Sequence, residues 1–212
     1  MKQFYIPYNP TADIKYLYLL LLYKLADSSK VVFSSRNIYI RDTIYYRSQQ
    51  ELVKRMNEEY SKVNPAFDKP IISASTLSRV LKDKKYNDYF VVNSIDKTIK
   101  LKNNLVDNKN KENKKKFVVL TEKAVDYLLC KNDNLLYNYY IYLLFSCGCS
   151  KEKSTDFTTK QFLEASGYST LSNSYISKIS SFNVLLANDN FINIKKFRDN
   201  NGNERNLYTM KI

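Results

Sequence analysis

Apolar residues along this chain follow two periods, and the periods alternate in the same order twice. In residues 12–26, Ile14, Leu17, Leu21, Leu22 and Leu25 recur at three- and four-residue spacing. That spacing predicts a helix with one broad buried face. Tyr16, Tyr18 and Tyr23 widen the face and read as core rather than as a base-stacking surface. Ahead of it, Pro7 and Pro10 hold a short leading segment extended. Residues 31–47 switch to alternation, as in Asn37-Ile-Tyr-Ile-Arg41 and Thr43-Ile-Tyr-Tyr-Arg47. These read as short strands, expected to pair with a hairpin further along.

Ser48-Gln-Gln-Glu51 has the spacing of a capping box, with Ser48 accepting from the Glu51 N–H and Glu51 reaching back to the Ser48 N–H. The helix it opens turns Leu52, Val53 and Met56 inward. Pro65 and Pro70 forbid a continuous helix through residues 61–72. A further helix starts at Ser73 or Ser75, either of which can cap it. Leu77, Val80 and Leu81 form its buried side; Ser75, Thr76, Arg79 and Lys82 face out, with Ser78 at the edge. After Lys84 and Lys85, Tyr89-Phe-Val-Val-Asn93 and Thr98-Ile-Lys-Leu-Lys102 flank Ser94-Ile-Asp-Lys97 as a hairpin.

Residues 103–116 are rich in Asn and Lys and end in Lys114-Lys-Lys116. They read as a polar linker, either simply solvated or tracking phosphates. Phe117-Val-Val-Leu120 then predicts a strand opening the second half, and Thr121 caps a short helix through Leu129. From there the earlier order returns. Residues 135–147 form a helix in which Tyr137, Tyr139, Ile141 and Leu143 match Tyr16, Tyr18, Leu20 and Leu22. Thr158-Thr-Lys-Gln161 is a second capping box, opening a helix with Phe162 and Leu163 inward. Gly167 supplies a turn that needs positive φ. A helix over residues 172–187 follows, and strands over 191–197 and 205–211 close around Asp199-Asn-Asn-Gly-Asn203.

One motif ties the halves together. Ser73-Ala-Ser-Thr-Leu-Ser-Arg-Val-Leu81 has a counterpart in Ser172-Asn-Ser-Tyr-Ile-Ser-Lys-Ile-Ser180. Three serines coincide, Arg79 falls on Lys178, and Leu77 and Val80 fall on Ile176 and Ile179. Each copy leads to an Asn-Asp-x-Phe run, at residues 87–90 and 188–191. Both read as the recognition helix of a winged helix-turn-helix. The expected fold is mostly α with small β-wings, an α+β chain of two tandem winged helix-turn-helix domains. Their expected bounds are residues 1–105 and 117–212, joined by a linker at 106–116.

In the order of their elements, the two halves resemble tandem winged-helix replication initiators of Gram-positive plasmids, phages and conjugative elements. The first half also resembles the DNA-binding domains of replisome organisers. The resemblance covers nearly the whole chain and implies a DNA-binding protein of a mobile element.

Composition narrows the partners. At 212 residues the chain suits two domains of roughly 100 residues each. A formal net charge of +13 suits a polyanionic partner, although a codon bias toward Lys, Asn, Ile and Tyr would raise the lysine count by itself. With no histidine and only three glycines, His-based acid–base chemistry and a Gly-rich phosphate loop are both excluded. Cys130, Cys147 and Cys149 lack zinc-finger spacing and read as free thiols in a reducing cytoplasm. The apolar run at residues 16–22 is too short to span a bilayer, and the charges around it argue against a signal peptide. The expectation is therefore a cytoplasmic, non-enzymatic protein without metal, cofactor, membrane or small-molecule substrate.

Its partner is double-stranded DNA, with a homodimer as a further expectation. Ser73, Ser75, Thr76, Ser78, Arg79 and Lys82 are the candidate contacts of the first helix, with Lys84, Lys85 and Lys97 after it. Ser172, Asn173, Ser174, Tyr175 and Lys178 are those of the second, with Lys195, Lys196, Arg198 and Arg205 on its wing. Arg79 has the fork for guanine O6 and N7, and Asn173 the amide for adenine. The serines also sit where helix caps belong. Initiation of replication, transcriptional regulation and binding of a protein partner all remain open to such a chain.

Overall fold

A computed structural model of the chain describes residues 3–9, 11, 13–26, 32–34, 37–39, 43–67, 69–102 and 117–211. Its elements run β1 (Gln3–Pro7), α1 (Tyr16–Leu25), β2 (Val32–Ser34), β3 (Asn37–Tyr39), β4 (Thr43–Tyr45), α2 (Gln49–Val63) and α3 (Ala74–Lys82). A 3-10 turn (Lys84–Tyr86), β5 (Phe90–Asn93), β6 (Thr98–Leu101), β7 (Phe117–Thr121) and α4 (Glu122–Lys131) follow. The last elements are α5 (Asn134–Cys149), β8 (Ser154–Asp156), α6 (Thr159–Ala165), α7 (Asn173–Asn188), β9 (Ile192–Arg198) and β10 (Glu204–Met210). The class is mixed α+β with small antiparallel sheets. Two compact units emerge, Met1–Pro7 with Asp13–Asn132 and Tyr8–Ala12 with Asp133–Ile212.

In the first unit α1 is the central element, with Tyr16, Tyr18, Leu19, Leu20, Leu21, Leu22 and Tyr23 all buried. It starts at Tyr16 rather than at residue 12, because the Lys15 N–H is taken by the Tyr86 hydroxyl at 3.0 Å. α1 packs against α2 and α4, and α2 against α3. The expected pairing of the alternating segment with the hairpin is present: β4 and β5 flank β6, with Ile44 and Val92 both opposite Ile99. β2 and β3 pair with each other. At α2, Ser48 accepts from the Glu51 N–H at 3.2 Å, but the Glu51 carboxylate accepts from Arg47 N–H at 2.6 Å rather than from Ser48. The same carboxylate also faces the Arg55 guanidinium at 3.8 Å.

The second half was expected to open at residue 117, and here the structure differs. β7 pairs antiparallel with β1, setting Phe4 opposite Leu120 and Ile6 opposite Val118. All four side chains are buried. α4 packs on α1 and α2, and Asp126 takes an ion pair from Lys24. β7 and α4 therefore belong to the first unit, because the alternating apolar face of β1 needs a partner strand and β7 supplies it. The division falls between Asn132 and Asp133 instead. The expected linker, residues 106–116, lies outside the described residues.

The second unit is built around α5, which buries Leu135, Leu136, Tyr137, Asn138, Tyr139, Tyr140, Ile141, Leu143 and Cys147. The Phe162 ring lies 5.1 Å from Tyr139 and 5.4 Å from Tyr142, and Phe157 stacks on Tyr208 at 4.9 Å. Tyr8 of the leading segment stacks on Phe145 at 3.7 Å. The capping box at Thr158 and Gln161 forms as expected, and Gly167 has φ +72°.

The path from α1 through β4, α2, α3, β5 and β6 is repeated by α5, β8, α6, α7, β9 and β10. In both units the sheet order is first, third, second strand: β4-β6-β5 and β8-β10-β9.

Candidate nucleic-acid interface

In the first unit α3 follows a connection over residues 64–72 that Asn57 fastens to α2. Its Oδ1 accepts from Ile71 N–H at 2.9 Å and Ile72 N–H at 3.1 Å, and its Nδ2 donates to the carbonyls of Val53 at 3.0 Å and Ile72 at 3.1 Å. One amide thus fixes where α3 begins. Ser73 caps the helix, its Oγ accepting from Thr76 N–H at 3.2 Å. The same Oγ lies 3.0 Å from Ser75 Oγ and 2.9 Å from Thr76 Oγ1. The hydroxyls of this first turn are bonded mainly to one another.

Leu77 and Val80 are buried, Ser78 is half-buried, and Arg79 and Lys82 are exposed. Arg79 Nη2 donates to Thr76 Oγ1 at 3.4 Å. Burial pushes the Tyr18 hydroxyl up, partly offset by the Arg79 charge nearby. Lys84 and Lys85 are exposed; the Asp83 carboxylate lies 3.2 Å from Lys85 and its hydrogen bond holds that ammonium above its usual range. Lys97 is exposed in the hairpin turn at φ +49°. Asn93 Oδ1 builds that turn by accepting from Ile95 N–H at 3.0 Å and Asp96 N–H at 3.1 Å.

In the second unit α7 packs on α5, α6 and β9. Ser172 precedes it in extended conformation, but its side chain makes no capping bond. Its carbonyl accepts from Tyr175 N–H at 3.0 Å and Ile176 N–H at 3.2 Å. Ile179, Phe182 and Leu186 are buried. Ile176, the counterpart of buried Leu77, is 40% exposed. The buried seam of α7 starts one turn later than that of α3, so its first turn stands clear of the core. Asn173, Ser174 and Ser177 are exposed there.

Tyr175 is half-buried against the Tyr168 ring, 5.2 Å away, so packing takes up part of a side chain expected to face outward. Lys178 is exposed and lies 3.7 Å from Asp133. Ser180 and Ser181 bond back to the carbonyls of Ile176 and Ser177, both at 3.2 Å. Asn183 sets the rotation of the helix. It accepts from the Tyr139 hydroxyl at 2.5 Å and donates to the Tyr208 hydroxyl at 3.3 Å.

The second hairpin has seven-residue strands against four in the first. Lys195 and Arg198 are exposed on it. Lys196 is paired with Glu204, and half-buried Arg205 with Asp156 at 3.1 Å. These two candidates are thereby partly neutralised; the Asp156 carboxylate reaches Arg205 only because β8 pairs with β10.

Tyr45, Arg47 and Lys100, outside the expected set, are among the other exposed basic and aromatic residues. The alternation Thr43-Ile-Tyr was the signal for Tyr45, since Ile44 is buried and its neighbours must face the other way. Cys147 is buried, its thiol donating to Tyr208 O at 3.6 Å, and burial pushes its pKa up; Cys130 and Cys149 are exposed. Among the described residues no helix is long and apolar enough to cross a membrane. No family model, curated protein or solved structure matches this chain.

Proposed function

We propose that this chain is a non-catalytic protein that binds specific double-stranded DNA through two winged helix-turn-helix units. The observation that carries this reading is the repeated path of helix, strand, helix, helix and two strands with the same sheet order. In a winged helix the third helix enters the major groove and the hairpin reaches the flanking backbone. α3 and α7 occupy that place, and each exposes polar residues on its first turns. Arg79 is the candidate for guanine and Asn173 for adenine. Lys82, Lys84, Lys97, Lys195 and Arg198 are exposed cations suited to phosphates. Ser172 leaves the first turn of α7 without a side-chain cap, and the amides of such a turn favour a phosphate.

Two reading units in one chain suit long or repeated sites, so initiation of replication on a mobile element is the role we infer. Selection of bound fragments from a random library and from source-genome DNA tests it. Repeated sites beside the chain's own gene support initiation, and a lone promoter site supports transcriptional regulation. Affinity for the selected site falls steeply with salt if phosphates are contacted. A flat salt dependence with no enriched sequence overturns DNA binding and leaves a protein-interaction module.

A further inference from the structure

The geometry points to a second binding surface in the first unit: the outer face of the β4-β6-β5 sheet holds single-stranded nucleic acid, with a base stacked on Tyr45. Strand register defines that face. Ile44, Ile99, Phe90 and Leu101 point into the core and are buried. The residues between them form two outward rows, Thr43–Lys100–Val91 and Tyr45–Thr98–Asn93. Tyr45 is 71% exposed and Val91 52%. A tyrosine this open on the outer face of a sheet offers a stacking surface, not core packing.

Cations lie around the ring. Lys100 is diagonal to Tyr45 across adjacent strands, a separation of about 7–8 Å that long side chains span. Lys97 occupies the turn and Arg47 follows β4, both exposed. The nearby acids are engaged. Asp96 accepts from the Asn93 side chain, and Glu51 accepts from the Arg47 N–H and faces Arg55. The backbone under the ring is fixed from both sides: Tyr45 O accepts from Arg55 Nη1 at 2.7 Å, and Tyr46 N–H donates to Lys97 O at 3.1 Å.

An exposed ring among cations on a hydrogen-bonded sheet is the chemistry of single-strand binding, where bases stack on aromatics and the backbone follows the charge. A duplex hides its base faces inside its own stack and offers Tyr45 no partner. An acidic peptide would satisfy the lysines but leave the ring unused. Tyr45, Arg47 and Lys100 belong to neither α3 nor α7 and have no part in the duplex reading; only Lys97 is shared with it.

The chain contains no tryptophan, so Tyr45→Trp introduces a single reporter. Its emission is expected to be quenched to saturation by a 15-nucleotide oligothymidylate, and left unchanged by a blunt duplex of equal length or by polyglutamate. In parallel, anisotropy of a labelled oligothymidylate should show Tyr45→Ala weakening binding about 5- to 150-fold. Tyr45→Phe should keep affinity and Lys100→Ala reduce the salt slope. Unchanged affinity in Tyr45→Ala, or equal quenching by the duplex or by polyglutamate, overturns the proposal. Because the comparison is with Tyr45→Phe at an exposed position, loss of the fold cannot be mistaken for loss of the site.

Discussion

The two units follow one path yet hold their third helices differently. α3 has nine residues, follows a capping serine, and has its first-turn hydroxyls bonded together. Its outward chemistry is cationic, from Arg79 and Lys82 on to Lys84 and Lys85. α7 has sixteen residues, lacks a side-chain cap, and carries its first turn clear of the core. Its exposed residues are mainly Ser and Asn, and its single lysine lies near Asp133. The same topology thus presents charge in one unit and short polar side chains in the other. Charge attracts any phosphate backbone, whereas short donors on a projecting turn can approach base edges.

The widest test asks whether the units are separately built. Phe162 is fully buried among Tyr139, Tyr142 and Tyr168. Phe162→Ala should cost about 3–5 kcal/mol through lost contacts and a residual cavity. Hydrogen exchange followed by mass spectrometry should then show lost protection in α5, α6 and α7, with α1, α2 and α3 unchanged. Equal loss in both sets would make the chain one cooperative body and remove the basis for comparing its halves.

Next comes the difference in charge. If Arg79 reads a base, Arg79→Ala should weaken binding to the selected duplex by about 1–3 kcal/mol and relax specificity at one position. Lys178→Ala should cost less than about 1 kcal/mol, because Asp133 already offsets that charge. Competition against a scrambled duplex at several salt concentrations separates the cases. Arg79→Ala that weakens both duplexes alike leaves charge with α3; the assignment of reading to α7 and charge to α3 is inverted if Arg79→Ala alters sequence preference and Lys178→Ala weakens both duplexes alike.

How much of this was legible beforehand follows from distance along the chain. Caps at Ser48, Ser73, Thr121 and Thr158 lie within four residues of what they bond, and each was visible as a local pattern. The hairpins and the turn at Gly167 were readable for the same reason. The pairing of β1 with β7 joins residues more than a hundred positions apart, and nothing local marked it, so α4 was assigned to the wrong half. Arg205 looked like a free cation because Asp156 meets it only through the sheet. Matching the two serine-rich segments named Ile179 as buried, which it is, and Ile176, which is not. It could not say where the neighbouring elements stop, and that is why Ile176 is exposed although it matches Leu77 in sequence.

The caps give a smaller contrast. Ser73→Ala removes a hydrogen bond to Thr76 N–H and should destabilise the first unit by about 1 kcal/mol. Ser172→Ala removes no such bond and should change stability by no more than a few tenths of a kcal/mol. Chemical denaturation of the two variants checks this directly. A cost at Ser172 equal to that at Ser73 would mean that the first turns of α3 and α7 are held alike.

The smallest expected effect separates the two hairpin turns. The first is organised by Asn93, whose amide oxygen accepts from Ile95 N–H and Asp96 N–H. The second is organised by Asp199, whose Oδ1 accepts from Asn201 N–H and Asn203 N–H, both at 2.9 Å. These bonds, that from the Asn203 backbone first, hold the Asp199 carboxyl below its usual range. A depressed folded-state pKa adds stability that is complete above the unfolded value of about 3.9 and disappears as pH falls through the folded one. The amide oxygen of Asn93 does not titrate in this range, so its two bonds carry no such dependence of their own. Below about pH 4, the Asn201 and Asn203 amides should therefore shift and exchange faster, while those of Ile95 and Asp96 change less. Asp199→Asn should remove the acid sensitivity of the second turn and leave it built like the first. A second turn that still opens in acid after that substitution would place the titrating group elsewhere in the β9–β10 hairpin.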